Sequence, residues 1–195
     1  MRVFGIDPGS NRTGYGCVDT DGRRHRLVLC GAIRSTNFDT FPDRLAAIHR
    51  ELAEVIDRCR PECVAIENLF HASNVRSALK LGHARGVAML AAVQAGLPVV
   101  EYTPAEIKRA VVGYGRAEKT QIQQMVKLLL GLDRAPEPHD AADALAVAIC
   151  HLHVIGPAKA GPLAAVHRDR GPRLQPGQTP SGVRALRSWR HYKPA

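Results

Sequence analysis

Short apolar runs alternate along this chain with longer stretches of helical periodicity. Arg2-Val3-Phe4-Gly5-Ile6 reads as a strand running straight into the dense turn signal Asp7-Pro8-Gly9-Ser10-Asn11. Residues 13–18 and 26–33 predict two more strands, with Asp19-Thr20-Asp21-Gly22 as the turn between them, so the first three strands form an antiparallel meander. Leu45, Ile48, Leu52, Val55 and Ile56 recur at helical spacing between Pro42 and Arg58, and this helix crosses to a fourth strand, Cys63-Val64-Ala65-Ile66. A long helix over 74–95 and a fifth strand over 98–102 follow. Helices near 104–112 and 118–130, parted by Gly113-Tyr114-Gly115, come next, and a last helix starts near His139. No segment repeats. The order predicts an α/β fold, a mixed five-stranded sheet flanked by helices.

Composition narrows the picture. At 195 residues the chain suits one domain with a sizeable core. It has no apolar stretch of membrane-spanning length and no signal-peptide pattern before its first strand, so a soluble, cytoplasmic protein without a membrane partner is expected. Cys17, Cys30, Cys59, Cys63 and Cys150 include no Cys-x-x-Cys pair, and their odd number argues against a full disulfide framework. The spacing of Cys59 and Cys63 hints at metal, but no further ligands are in view, and buried free thiols are the expectation.

The net charge of +9 is unevenly placed. From Gly156 onward eight Lys and Arg face the single acid Asp169, among many Pro and Gly and little periodicity. We divide the chain into a folded body, 1–155, and a basic, disordered tail, 156–195. Such a tail either adds non-specific phosphate contacts or only aids solubility. Arg187-Ser188-Trp189-Arg190-His191-Tyr192 interleaves aromatics with cations and could stack on bases.

The most telling pattern lies in the last helix. Asp140 and Asp143 stand three residues apart, on one face of an otherwise apolar, alanine-rich segment. They could simply favour the positive end of the helix dipole. Asp7 and Glu67, however, each close an apolar strand, and acids at the carboxyl ends of core strands converge on the crevice where α/β sheets place ligands. Four acids from three segments would meet in one cleft. Oxygen-only ligands select hard cations such as Mg²⁺ or Mn²⁺. The long helix carries Ala78, Gly82 and Gly86 every four residues, which fits either tight packing within the domain or a subunit interface.

Five blocks occur in order: Phe4-Gly5-Ile6-Asp7-Pro8-Gly9, Ala65-Ile66-Glu67-Asn68-Leu69-Phe70, Ser77 to Gly86, Val111 to Lys119, and Asp140-Ala141-Ala142-Asp143-Ala144. Together, over about residues 1–155, they closely resemble the bacterial Holliday-junction resolvases of the RuvC family. That resemblance implies a ribonuclease H-like fold. It also implies a homodimer that nicks two strands of like polarity symmetrically across four-way junction DNA, giving 5′-phosphate and 3′-hydroxyl ends in recombination and repair. It makes Asp7, Glu67, Asp140 and Asp143 the catalytic, metal-binding acids, holding two Mg²⁺ or Mn²⁺ ions per site with Asp7 as the bridge. Lys119 becomes the cation beside the scissile phosphate. Arg76, Lys80 and Lys108 become further DNA contacts, and Phe70 the aromatic that enters the junction centre. The branch-migration proteins RuvA and RuvB are implied partners. His139 falls just before Asp140, rotated partly away, and is expected to support the ligands or face DNA.

Other readings compete. Actin-like nucleotide phosphotransferases use a similar first turn but need two such halves, and the body has room for one. A junction-binding protein without chemistry would not need four acids. A nuclease for RNA–DNA hybrids shares the fold, but the Phe70 segment and the small-residue helix favour junctions.

Overall fold

The structure of the chain is a computed structural model that describes residues 1–68 and 74–156. Its strands are β1 (Arg2–Asp7), β2 (Arg12–Thr20), β3 (His25–Arg34), β4 (Cys63–Glu67) and β5 (Val99–Tyr102). Its helices are α1 (Phe41–Cys59), α2 (Val75–Gln94), α3 (Pro104–Val112), α4 (Lys119–Leu129) and α5 (His139–Ile155). The sheet runs β3-β2-β1-β4-β5, with β1 antiparallel to β2 but parallel to β4, and β4 parallel to β5. The mixed five-stranded sheet is therefore as expected, and β1 is its centre.

Most boundaries shift by a residue, and the end of β2 shifts by two. β2 continues through Thr20, because the ladder to β3 persists as far as Thr20 opposite His25, and the turn begins at Asp21. The Asp21 carboxylate then accepts hydrogen bonds from the backbone N–H groups of Arg23 and Arg24, both at 2.9 Å, while Gly22 takes a positive φ of 90°.

Period-two alternation sorts the strands onto two faces. Phe4 and Ile6 of β1 and Val64 and Ile66 of β4 pack with Ile48, Leu52 and Ile56 of α1 and with the alanines of α2. Val3, Cys63 and Ala65 pack on the other face with α3, α4 and Leu145 to Ile149 of α5. Asp7 and Glu67 follow Val3 and Ala65 in phase, so both acids belong to the α5 face.

What distinguishes that face is how closely α5 approaches the sheet. A Cβ built on Gly5 would lie 2.0 Å from the carbonyl oxygen of Ala144, and one on Gly14 would lie 2.0 Å from that of Asp140. At Gly16 a Cβ would meet the Leu145 side chain at 2.6 Å. Missing Cβ atoms on β1 and β2, matched by alanines on α5, let backbone press on backbone. Nearly every residue from Ala141 to Leu152 is consequently buried.

Helix ends are set locally. Thr103 and Glu106 form a capping box at α3, Glu118 and Gln121 form one at α4, and Thr40 caps α1. On α2, Ala84, Ala88, Ala91 and Ala92 face the core, whereas a Cβ at Gly82 or Gly86 would meet nothing within 4 Å. Of the two roles considered for those glycines, packing inside the domain therefore does not hold among the described residues. All five cysteines are free, four of them buried. No described helix is long and apolar enough to cross a membrane.

Candidate active site

β1, the central strand, ends at Asp7, and its parallel neighbour β4, paired through Ile6 and Ile66, ends at Glu67. The two carboxyls share a hydrogen bond. Burial, the negative charge of Glu67 and that bond, then the charges of Asp143 and Asp140, push Asp7 up from 3.8 to about 9. Burial and mutual repulsion thus favour one proton retained between the two carboxyls. Glu67 is also raised, chiefly by burial and by Asp143, although the Asp7 bond and the cations Lys119 and Lys108 pull it back.

The α5 acids reach this point because the helix starts directly over Gly14, which is paired with Asp7 in the β1–β2 ladder. Each of them is held by a cation from another element. Lys119 Nζ lies 2.6 Å from Asp143 Oδ2, and Arg12 Nη1 lies 3.3 Å from Asp140 Oδ2. Burial works against the Lys119 charge, but Asp143, followed by Asp7 and Asp140, outweighs it and raises its pKa. Glu67, Lys108, Lys119 and Asp143 line a cleft of about 190 Å³ between β4, α3, α4 and α5, together with the apolar Ile107, Ile122 and Ala146.

The structure thus brings Asp7, Glu67, Asp140, Asp143, Lys108 and Lys119 together. Arg76 and Lys80 stand apart on the exposed first turns of α2, and the Lys80 ammonium lies 5.8 Å from the centre of the Phe41 ring. His139 is exposed and accepts a hydrogen bond at Nδ1 from Gln123 at 2.7 Å. Phe70 and the segment beyond residue 156 lie outside the described residues. Arg12 escaped the sequence reading; its only signal was its place just past the Asp7 turn.

This donor set fits a hard cation. Four carboxylates lie around one partly buried region, where burial and their like charges raise Asp7 and Glu67, and a divalent ion would relieve the repulsion. No group of three potential ligands among the described residues is already gathered around a single point. One oxygen of Asp140 and one of Asp143 are paired with Arg12 and Lys119, so an ion that takes those oxygens competes with the two cations.

Comparison with known proteins gives the family. The family of crossover junction endodeoxyribonuclease RuvC matches residues 3–151. The chain belongs to the RuvC family. A RuvC from Trichlorobacter lovleyi is 47% identical over 194 residues, covering the full length of both chains. The RuvC of Pelotomaculum thermopropionicum is 54% identical over 153 residues, 78% of this chain and 93% of that one. Among solved structures, T. thermophilus RuvC in complex with Holliday junction substrate superposes with a TM-score of 0.75 at 39% identity, covering 79% of this chain and 94% of that one. The sheet is accordingly of the ribonuclease H-like class, and the RuvC family is one of metal-dependent nucleases.

Proposed function

We propose that this chain resolves Holliday junctions by metal-dependent hydrolysis of DNA phosphodiesters, nicking two strands of like polarity symmetrically and leaving 5′-phosphate and 3′-hydroxyl ends. The observation that carries the reading is the convergence of Asp7, Glu67, Asp140 and Asp143, from three separate segments, beside the Lys108 and Lys119 cleft.

In this reading the four acids would hold two Mg²⁺ or Mn²⁺ ions, with Asp7, central in the sheet, as the ligand nearest to all the others. Such ions supply an activated water at neutral pH and stabilise the leaving 3′ oxygen. Asp7 and Glu67, on adjacent strand ends, provide the rigid half of the ligand set. Asp140 and Asp143 provide the half whose distance from the sheet depends on α5. Lys119, freed from Asp143, meets the scissile phosphate, and Lys108 neutralises a neighbouring one. Phe70 enters the junction centre, where it stacks on unpaired bases, while Arg76 and Lys80 contact the backbone nearby. The basic segment 156–195 adds phosphate contacts outside the nuclease body, 1–155.

Symmetric cutting needs two sites. The α2 face of Leu79, Gly82, Gly86 and Leu90 supports a homodimer: it is apolar, and Leu79 is 60% exposed. RuvA and RuvB are the partners that would deliver the junction, in the cytoplasm.

The test is a nicking assay on a synthetic four-way junction, with linear duplex and RNA–DNA hybrid alongside and with Mg²⁺, Mn²⁺ or EDTA. Paired nicks in the junction alone, only with metal, are the expected result. Cutting of the hybrid at a comparable rate would overturn the junction assignment, and cutting in EDTA would overturn the metal site.

A further inference from the structure

Asp140 has a partner that nothing in the reaction above uses. Arg12, the first residue of β2, donates from Nη1 to Asp140 Oδ2 at 3.3 Å, and this is the only hydrogen bond of its side chain among the described residues. The arrangement mirrors Lys119 and Asp143 across the site, so each aspartate of α5 carries one borrowed cation.

The two members of the Arg12–Asp140 pair differ in freedom. The backbone of Asp140 is held, because its carbonyl oxygen is pressed onto Gly14, and its side chain is only 25% exposed. The Arg12 side chain is 44% exposed, and an ion pair so open to solvent is weak. The guanidinium is therefore the freer of the two to exchange partners.

Arg12 also has a reason to seek a second anion. It stands directly opposite Arg34 in the β2–β3 ladder, a like-charge pairing that is unfavourable, and Arg34 has no ion pair among the described residues. An anion bridging Arg12 and Arg34 would relieve the repulsion, and guanidinium groups suit phosphate oxygens in particular. On an enzyme that cuts DNA, the anion available next to the acids is a backbone phosphate.

We propose that Arg12 is a positioning residue that holds Asp140 in the free protein and turns to a DNA phosphate, shared with Arg34, when the junction binds. Asp140 is thereby released to metal as substrate arrives, and DNA binding and metal loading favour each other. The proposal rests on the reading of the four acids as the metal site.

It is tested on the full-length protein by titrating Mn²⁺ without DNA and by measuring junction affinity in EDTA over a range of salt concentrations, for wild type, Arg12→Gln, Arg12→Lys and Asp7→Asn. Removing a positive charge beside the ion makes Mn²⁺ binding to Arg12→Gln tighter by roughly three- to tenfold. The same variant binds the junction more weakly, with a log–log salt slope shallower by about 1 per protomer. Arg12→Lys, which keeps the charge, stays near wild type in both. Unchanged Mn²⁺ affinity or an unchanged slope in Arg12→Gln overturns the proposal. If Asp7→Asn loses Mn²⁺ binding while Arg12→Gln behaves as wild type, the metal site stands and only the role of Arg12 falls. If Asp7→Asn binds Mn²⁺ like wild type, the acid site is itself refuted and the proposal goes with it.

Discussion

Replacing Gly14 with alanine tests whether the closeness of α5 to the sheet makes the site. The new Cβ would lie 2.0 Å from the Asp140 carbonyl oxygen and 2.5 Å from its carbonyl carbon, against 3.4 Å for ordinary contact. Both are backbone atoms, so no rotamer change relieves the clash, and the start of α5 must retreat by about 1.4 Å. Overpacking of this kind costs about 1–3 kcal/mol. For a body of this size that is a fall of roughly 3–10 °C in Tm. The chemical effect should be larger, because a displacement of about 1 Å in a reacting group can cost on the order of 100-fold in rate. Single-turnover nicking of a four-way junction should therefore drop at least that far, although all four acids remain, while junction affinity in EDTA stays within about threefold, since no side chain lining the Lys108 and Lys119 cleft is removed. Nicking within tenfold of wild type, in a variant whose Tm has fallen, would refute the claim that α5 spacing sets the geometry of the acids.

Asp7 titrates far above 3.8, at about 9, so across that window the folded, metal-free chain keeps a proton that the unfolded chain releases, and wild type loses stability as pH rises. Asp7→Asn does not titrate. In EDTA it should melt above wild type at pH 8, with the gap closing toward pH 4, and it should not nick junctions; a gap independent of pH would count against the buried acid pair. Lys119→Met removes the partner of Asp143 and the cation proposed for the scissile phosphate, so turnover should fall by about 10²- to 10³-fold with little change in junction affinity. A loss confined to affinity would make Lys119 a binding residue instead. Gly86→Leu introduces bulk where nothing lies within 4 Å of the glycine, so the fold should survive while sedimentation reports monomers; a persistent dimer would move the interface off α2.

The elements were legible because their periods differ: strands of alternating or continuous apolar residues against helices such as α1, whose apolar positions recur at helical spacing. The acids could be found for the same reason. Asp7 and Glu67 interrupt apolar runs at strand ends, and Asp140 and Asp143 interrupt an alanine-rich helix, places where charge is costly without compensation. Arg12 and the neutral bond between Tyr102 and His151 Nδ1, 2.8 Å long in the core, could not be found this way. An arginine near a turn and a histidine in an apolar helix look ordinary until their partners, 128 and 49 residues away in sequence, are known.

The sequence by itself determined which residues could carry charge into the core, the order of the elements, and that Asp7 and Glu67 each close a core strand. Only the tertiary structure decided the distance. Gly5, Gly14 and Gly16 are unremarkable in a strand pattern, yet their missing Cβ atoms are what admit the α5 backbone and carry Asp140 and Asp143 to the strand ends. It also decided which cations pair with those aspartates. Both are contacts between segments remote in the chain, and local periodicity carries no information about them.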